Sequence, residues 1–284
     1  MYWKSPLGLS QSEIEGVPSE PFVCDHKIMD ARLKKRRPLG LTDVFERIFK
    51  GSMPNAYTGN FNRKEFYSGY VNTYLERDIR ALTQIADELD FLRFMNACAA
   101  RTSGMVNFAD LAKDVGISAP TAKHWLSILV SSGVVTLIQP YFNNTLKRAI
   151  KSPKMYFMDT GLAVYLTRWD NPEVLEVSAM SGSIFETYVV SEILKSYHNE
   201  DGGCPPVYYY RDTDGRKIDL ILEYNGTVYP IEIKKTANPG KDSIKNFCVL
   251  HNFGKIVGEG ALVCMYKNVY PIDRNNWAVP VWLV

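Results

Sequence analysis

The chain has 284 residues, 46% of them hydrophobic and 23% charged, with a formal net charge of +2. That length accommodates two domains with real cores, and the near-neutral balance excludes a uniformly basic coat, so any basic surface has to be local. The first ten residues lack the apolar core of a signal peptide, and no run approaches the roughly 20 apolar residues of a transmembrane helix.

Cys24, Cys98, Cys204, Cys248 and Cys264 are odd in number, scattered and without CxxC spacing, and the four histidines form no HExxH pair. Reduced thiols in a cytoplasmic protein, with no membrane partner, is the expectation. Residues 1–60 hold Pro6, Pro18, Pro21 and Pro38, the basic run Lys34-Lys35-Arg36-Arg37 and one short helix pattern at 42–50. They read as a loop-rich appendage or the tail of something larger. Phe49-Lys50-Gly51-Ser52 carries the letters of a phosphate loop in the wrong order, and nothing in the chain matches G-x-x-x-x-G-K-[ST]. From 63 to 101 the pattern is helical, with Tyr70, Tyr74, Ile79 and Leu82, then Leu89, Leu92, Phe94 and Met95, spaced for buried faces.

Residues 107–157 read as a winged helix-turn-helix, within a helical domain spanning 61–170. Asn107 is placed to cap a helix running to Val115, Gly116 to end it, and Ser118 to cap a second helix to about Ser131. Ala122, Trp125, Leu126 and Leu129 form the inward stripe of that second helix, which leaves Ser118, Thr121, Lys123 and His124 outside. β-rich runs at 134–141 and 154–158 flank Asn143-Asn144, with Lys147, Arg148, Lys151 and Lys154 nearby. Short polar residues at a helix start beside a basic wing suit a DNA groove and its phosphates. A small helical domain that packs on another protein is the alternative. Asp159-Thr160-Gly161 resembles an aspartic-protease triplet, but that chemistry needs two aspartates sharing a proton; a turn or helix-cap role is expected for Asp159.

Residues 178–284 form the last expected domain, in the order helix (183–197), strand (Val207–Arg211), hairpin, helix (242–252) and strand (261–266). Helix–strand alternation implies a mixed sheet flanked by helices, hence an α+β or α/β class with an αβββαβ order. The hairpin joins KIDLILEY (217–224) to TVYPIEIK (227–234) through Asn225-Gly226, whose positive φ preference makes it a strong turn signal. A two-residue loop pairs Tyr224 with Thr227 and so sets Asp219 opposite Glu232, with Cβ atoms roughly 4.5–5.5 Å apart. Lys234 returns to the same face.

Like charges so close destabilise a sheet unless neutralised. A Mg²⁺ ion resolves the conflict and would suit phosphate-ester hydrolysis, with Lys234 stabilising developing charge. On the first helix Glu186 falls among Val189, Val190, Ile193 and Tyr197, opposite Thr187, Ser191 and Lys195, which suggests a third acid for the cluster. The alternative is a strand in which Glu232 pairs with Lys217 or Lys234 and no metal is held.

YVNTYLERDI (70–79), NFADLAKDVGISAPTAKHWLSIL (107–129), KSPKMYFMDTGLAVYL (151–166), IFETYVVSEILK (184–195) and YYRDTDGRKIDLIL (209–222) together resemble a prokaryotic family. Its members carry an AAA+-like ATPase domain, then a C-terminal region with a winged helix and a restriction-endonuclease-like, PD-(D/E)xK fold. SPLGLSQSEIEG (5–16) resembles the end of the ATPase portion. The resemblance implies ATP binding only for an intact relative with a P-loop, so this chain looks like a member lacking that part. It maps the nuclease pattern onto Glu186, Asp219, Glu232 and Lys234. The expectation is a DNA-binding protein with a Mg²⁺-dependent nuclease-like domain, working with an ATPase domain or oligomer partners. The rival is a catalytically inactive DNA- or protein-binding regulatory module.

Overall fold

The computed structural model describes residues 7–75, 88–141, 152–199 and 206–284. The expected buried residues Ile79 and Leu82, the expected DNA contacts Lys147, Arg148 and Lys151, and Cys204 lie outside these. The described residues form a mixed α+β structure in two compact units. One unit takes the residues up to Leu9, with Phe45–Leu137 and Met155–Tyr188; the other takes Ser10–Val44, Ile138–Lys154 and Val189–Val284.

Helix ends follow capping chemistry along the chain. α1 (Gln11–Glu15) begins with a capping box between Ser10 and Glu13, and α2 (His26–Leu33) begins at Asp25, whose carboxylate accepts the Lys27 and Ile28 N–H groups. α3 (Leu41–Lys50) is followed by Gly51 at φ +83°, a backbone that favours glycine. α4 (Arg63–Thr73) is capped by Asn62, and α5 (Glu88–Ala100) buries Phe91, Phe94, Met95 and Cys98. α6 (Phe108–Val115) runs from an Asn107 cap to left-handed Gly116, and α7 (Ala119–Ser131) starts at a Ser118 cap. Both are where the sequence puts them.

β1 (Val135–Pro140) and β2 (Lys154–Phe157) follow, then α8 (Thr160–Leu166), α9 (Pro172–Val177) and α10 (Ser181–His198). β3 (Val207–Arg211), β4 (Lys217–Tyr224) and β5 (Thr227–Ile233) precede a short α11 (Lys241–Ile244), which continues as a 3₁₀ segment, Lys245–Phe253. β6 (Ile256–Val257), β7 (Gly260–Cys264), β8 (Tyr270–Pro271) and β9 (Asn276–Pro280) complete the chain, with a last 3₁₀ turn at Val281–Leu283. The sequence reading contained neither β6 nor the β8–β9 pair.

In the first unit the apolar faces of α5 and α7 meet at Trp125, whose ring packs edge-on against Phe91 and Phe94 at 5.3 and 5.6 Å. The second unit is built on a sheet ordered β1-β3-β4-β5-β7-β9-β8, with β6 beside β5. β3–β4 and β4–β5 are antiparallel, whereas β1–β3, β5–β7 and β7–β9 are parallel, so the sheet is mixed. Tyr141, Tyr210, Ile218, Ile221, Phe247, Leu250 and Leu262 belong to one buried cluster of this unit.

The N-terminal segment is less loop-like than its prolines suggest. Arg32 donates from Nη1 to the Leu283 carbonyl (3.1 Å), and Arg36 donates to that of Trp282 (3.4 Å). Arg36, one of the four cations in the basic run, is therefore a buried carbonyl clamp.

Candidate functional site

Two arrangements carry chemistry. The first is the exposed start of α7. Its apolar stripe, Ala122, Trp125, Leu126, Ile128 and Leu129, is buried, while Ser118, Lys123 and His124 are exposed and Thr121 half-buried. Ser118 Oγ accepts the Thr121 N–H at 3.1 Å and lies 2.7 Å from Thr121 Oγ1. These hydroxyls thus finish the helix end and stay on its surface. The exposed N–H end of a helix favours anions.

The second arrangement is in the β4–β5 hairpin. Asn225 (φ +48°) and Gly226 (φ +76°) make the tight turn, and Tyr224 pairs with Thr227 as expected. The ladder runs back to Leu220↔Ile231, and one further step would set Asp219 opposite Glu232. At that level the regular ladder gives way, and Asp219 Oδ2 accepts the Ile233 N–H at 3.1 Å.

The cause lies on the other side of β4. Tyr208 pairs with Ile221 and Tyr210 with Ile218, so Asp219 and Leu220 together face Tyr209 alone. This β-bulge breaks the two-residue alternation. It is also why Ile218 and Ile221, three residues apart, enter the same core cluster.

Asp219 has 0% exposure and Glu232 3%. Lys217 Nζ is 3.0 Å from Asp219 Oδ1, and Lys154 Nζ is 3.7 Å from the same atom. Asp219 is neutralised by two ammonium groups and a backbone N–H. The expected partner Lys234 is half-buried, and its backbone N–H donates to the Val263 carbonyl at 3.0 Å.

Lys154, expected in the DNA-contacting wing, is buried (8%) beside Asp219. Glu186 belongs to the other unit's segments, where its Oε1 accepts the Tyr156 hydroxyl at 2.7 Å. The polar side of that helix is not solvated: Thr187, Ser191 and Lys195 are all buried, with Thr187 bonded to Thr102 (2.8 Å) and Lys195 paired with Glu192 (2.9 Å).

Among the described residues no group of three His, Cys, Asp or Glu side chains comes together to hold a metal ion. The donor set around Asp219 does not fit Mg²⁺ either, since a divalent cation there would meet two ammonium groups within 4 Å of the same carboxylate oxygen. The lysines that matter, Lys217 and Lys154, were not assigned this role from sequence. The i, i+2 spacing of Lys217 and Asp219 on one strand was an available signal for the first; nothing local signalled the second.

The two motif look-alikes of the sequence explain each other. Asp159 caps α8 by accepting the Leu162 N–H (2.6 Å), as expected, and also accepts the Ser52 N–H (2.6 Å), the Ser52 hydroxyl (2.9 Å) and the Tyr67 hydroxyl (2.8 Å). The Lys50-Gly51-Ser52 letters hold a carboxylate of the chain itself. Burial and the adjacent Asp159 push the Tyr67 hydroxyl pKa far up, so it stays a neutral donor.

Residues 41–173 match the family model described as Domain of unknown function (DUF8612), and residues 181–284 match that described as Domain of unknown function (DUF4143). Uncharacterized proteins of Mycobacterium bovis and Mycobacterium tuberculosis are each 27% identical over 277 residues, which is 96% of this chain and 61% of theirs. The chain spans about three fifths of the length of these curated relatives. No solved structure matches it. No helix among the described residues is long and apolar enough to cross a membrane.

Proposed function

We propose that this chain is a DNA-binding regulatory module, a winged helix joined to a restriction-endonuclease-like fold that does not cut, working with an ATPase domain in the cytoplasm. The observation that carries the binding half is α7: a buried apolar stripe beneath an exposed start bearing Ser118, Thr121, Lys123 and His124. A helix entering the major groove presents its N-terminal residues to base edges and phosphates in this way.

The non-cutting half rests on Asp219, whose carboxylate is held by Lys217, Lys154 and the Ile233 N–H. The ATPase partner is inferred from the family resemblance, and the greater length of the relatives leaves room for one.

Fluorescence anisotropy with a labelled duplex at several salt concentrations tests the reading. Wild-type protein should bind with a steep salt dependence, and Lys123→Ala should weaken binding to all sequences and reduce the log–log salt slope by about 1. Absent or salt-insensitive binding would favour a protein-interaction module instead.

A further inference from the structure

The first unit holds a cavity of about 610 Å³ lined by residues of α4, α5, α8 and the turn after α8. That volume suits a small organic ligand. We infer that it binds a nucleoside monophosphate, or a similarly sized ligand joining a planar ring to a phosphate.

Among the described residues three cations, Arg63, Lys64 and Arg168, line the cavity with one acid, Asp170. Asp170 is already paired with Lys64 at 3.2 Å on the rim. Arg63 donates from Nε to the Phe49 carbonyl (3.0 Å) and from Nη1 to that of Trp169 (3.4 Å), and its Nη2 is buried without a hydrogen-bond partner. Its guanidinium is held by these carbonyls and by the Phe49 ring 3.8 Å away, and the charges of Asp159 and Asp170 act on it without a hydrogen bond to either among the described residues.

Arg168 occupies a left-handed backbone, φ +61°, in the turn that closes α8, where glycine is the usual residue. Among the described residues its guanidinium has no ion-pair partner, and it is exposed at the cavity's edge. The cations supply phosphate recognition. Trp169 and the half-buried Asn96 also line the cavity, an aromatic residue suited to a planar ring and an amide suited to that ring's polar edge.

The test is calorimetry or ligand-observed NMR on the full chain with the four common nucleoside monophosphates, and with inorganic phosphate alone. Saturable binding of at least one nucleotide, tighter than phosphate, is expected. Arg168→Gly should weaken it about tenfold while leaving the melting temperature unchanged or raised, because glycine suits the left-handed turn. Asn96→Leu, which removes the amide, should also weaken it, with circular dichroism confirming that the variant folds. No nucleotide binding at millimolar concentration, binding no tighter than phosphate, or affinity unchanged in both variants would overturn the inference.

Discussion

Asp159 shows what a single residue contributes to this fold. Its carboxylate takes one bond from the start of α8 and three from Ser52 and Tyr67, residues more than 90 positions away. Its capping role was legible because an Asp before an apolar helical run is a local signal. Its long-range partners were not, since no periodicity links residue 52 or 67 to residue 159. Gly161 belongs to the same junction, because a Cβ there would fall 2.2 Å from the Tyr67 hydroxyl oxygen. Replacing Asp159 by Ala removes the acceptor of the Ser52 hydroxyl and of two N–H groups, and leaves the Tyr67 hydroxyl only the Lys50 carbonyl at 3.1 Å. The expected loss is about 3–5 kcal/mol, read as a lowered midpoint in thermal or denaturant unfolding. A variant that melts with the wild type would show that the hub contributes little.

At the scale of the element, the hairpin and the helix pair α6–α7 were the most legible parts of the chain. Asn225-Gly226, the Asn107 and Ser118 caps and Gly116 are short-range signals with a fixed geometric meaning. The bulge at Asp219–Leu220 is not legible in the sequence, because it depends on how β3 meets β4 and strand alternation alone assumes a regular ladder. That one irregularity changes the chemistry expected of the strand. Carboxylates gathered for a metal repel one another when it is absent, so removing one stabilises the protein. A carboxylate locked by lysines behaves in the opposite way, because its loss strands their charges. Asp219→Ala should therefore lower the unfolding midpoint, by an amount corresponding to about 3 kcal/mol. A stabilised Asp219→Ala protein would restore the metal-site interpretation.

Across the whole molecule, the class was legible and the assembly of the chain was not. Helix–strand alternation gave a mixed α+β structure, but residues 10–44, which read as a loop-rich appendage, fall in the same compact unit as residues 189–284. Their arginines hold the backbone of Trp282 and Leu283. Basic runs are read from sequence as solvated or nucleic-acid-facing, and nothing local distinguishes one whose member Arg36 is buried. The same limit applies to Lys154, whose neighbourhood suggested a DNA-facing wing and whose ammonium lies beside Asp219.

The proposed reading has a non-cutting half, and relaxation of supercoiled plasmid in Mg²⁺ or Mn²⁺ tests that half most directly. Wild-type protein, Asp219→Asn and Glu232→Gln should all leave the plasmid at the background rate. Nicking by the wild type that both substitutions abolish would contradict it.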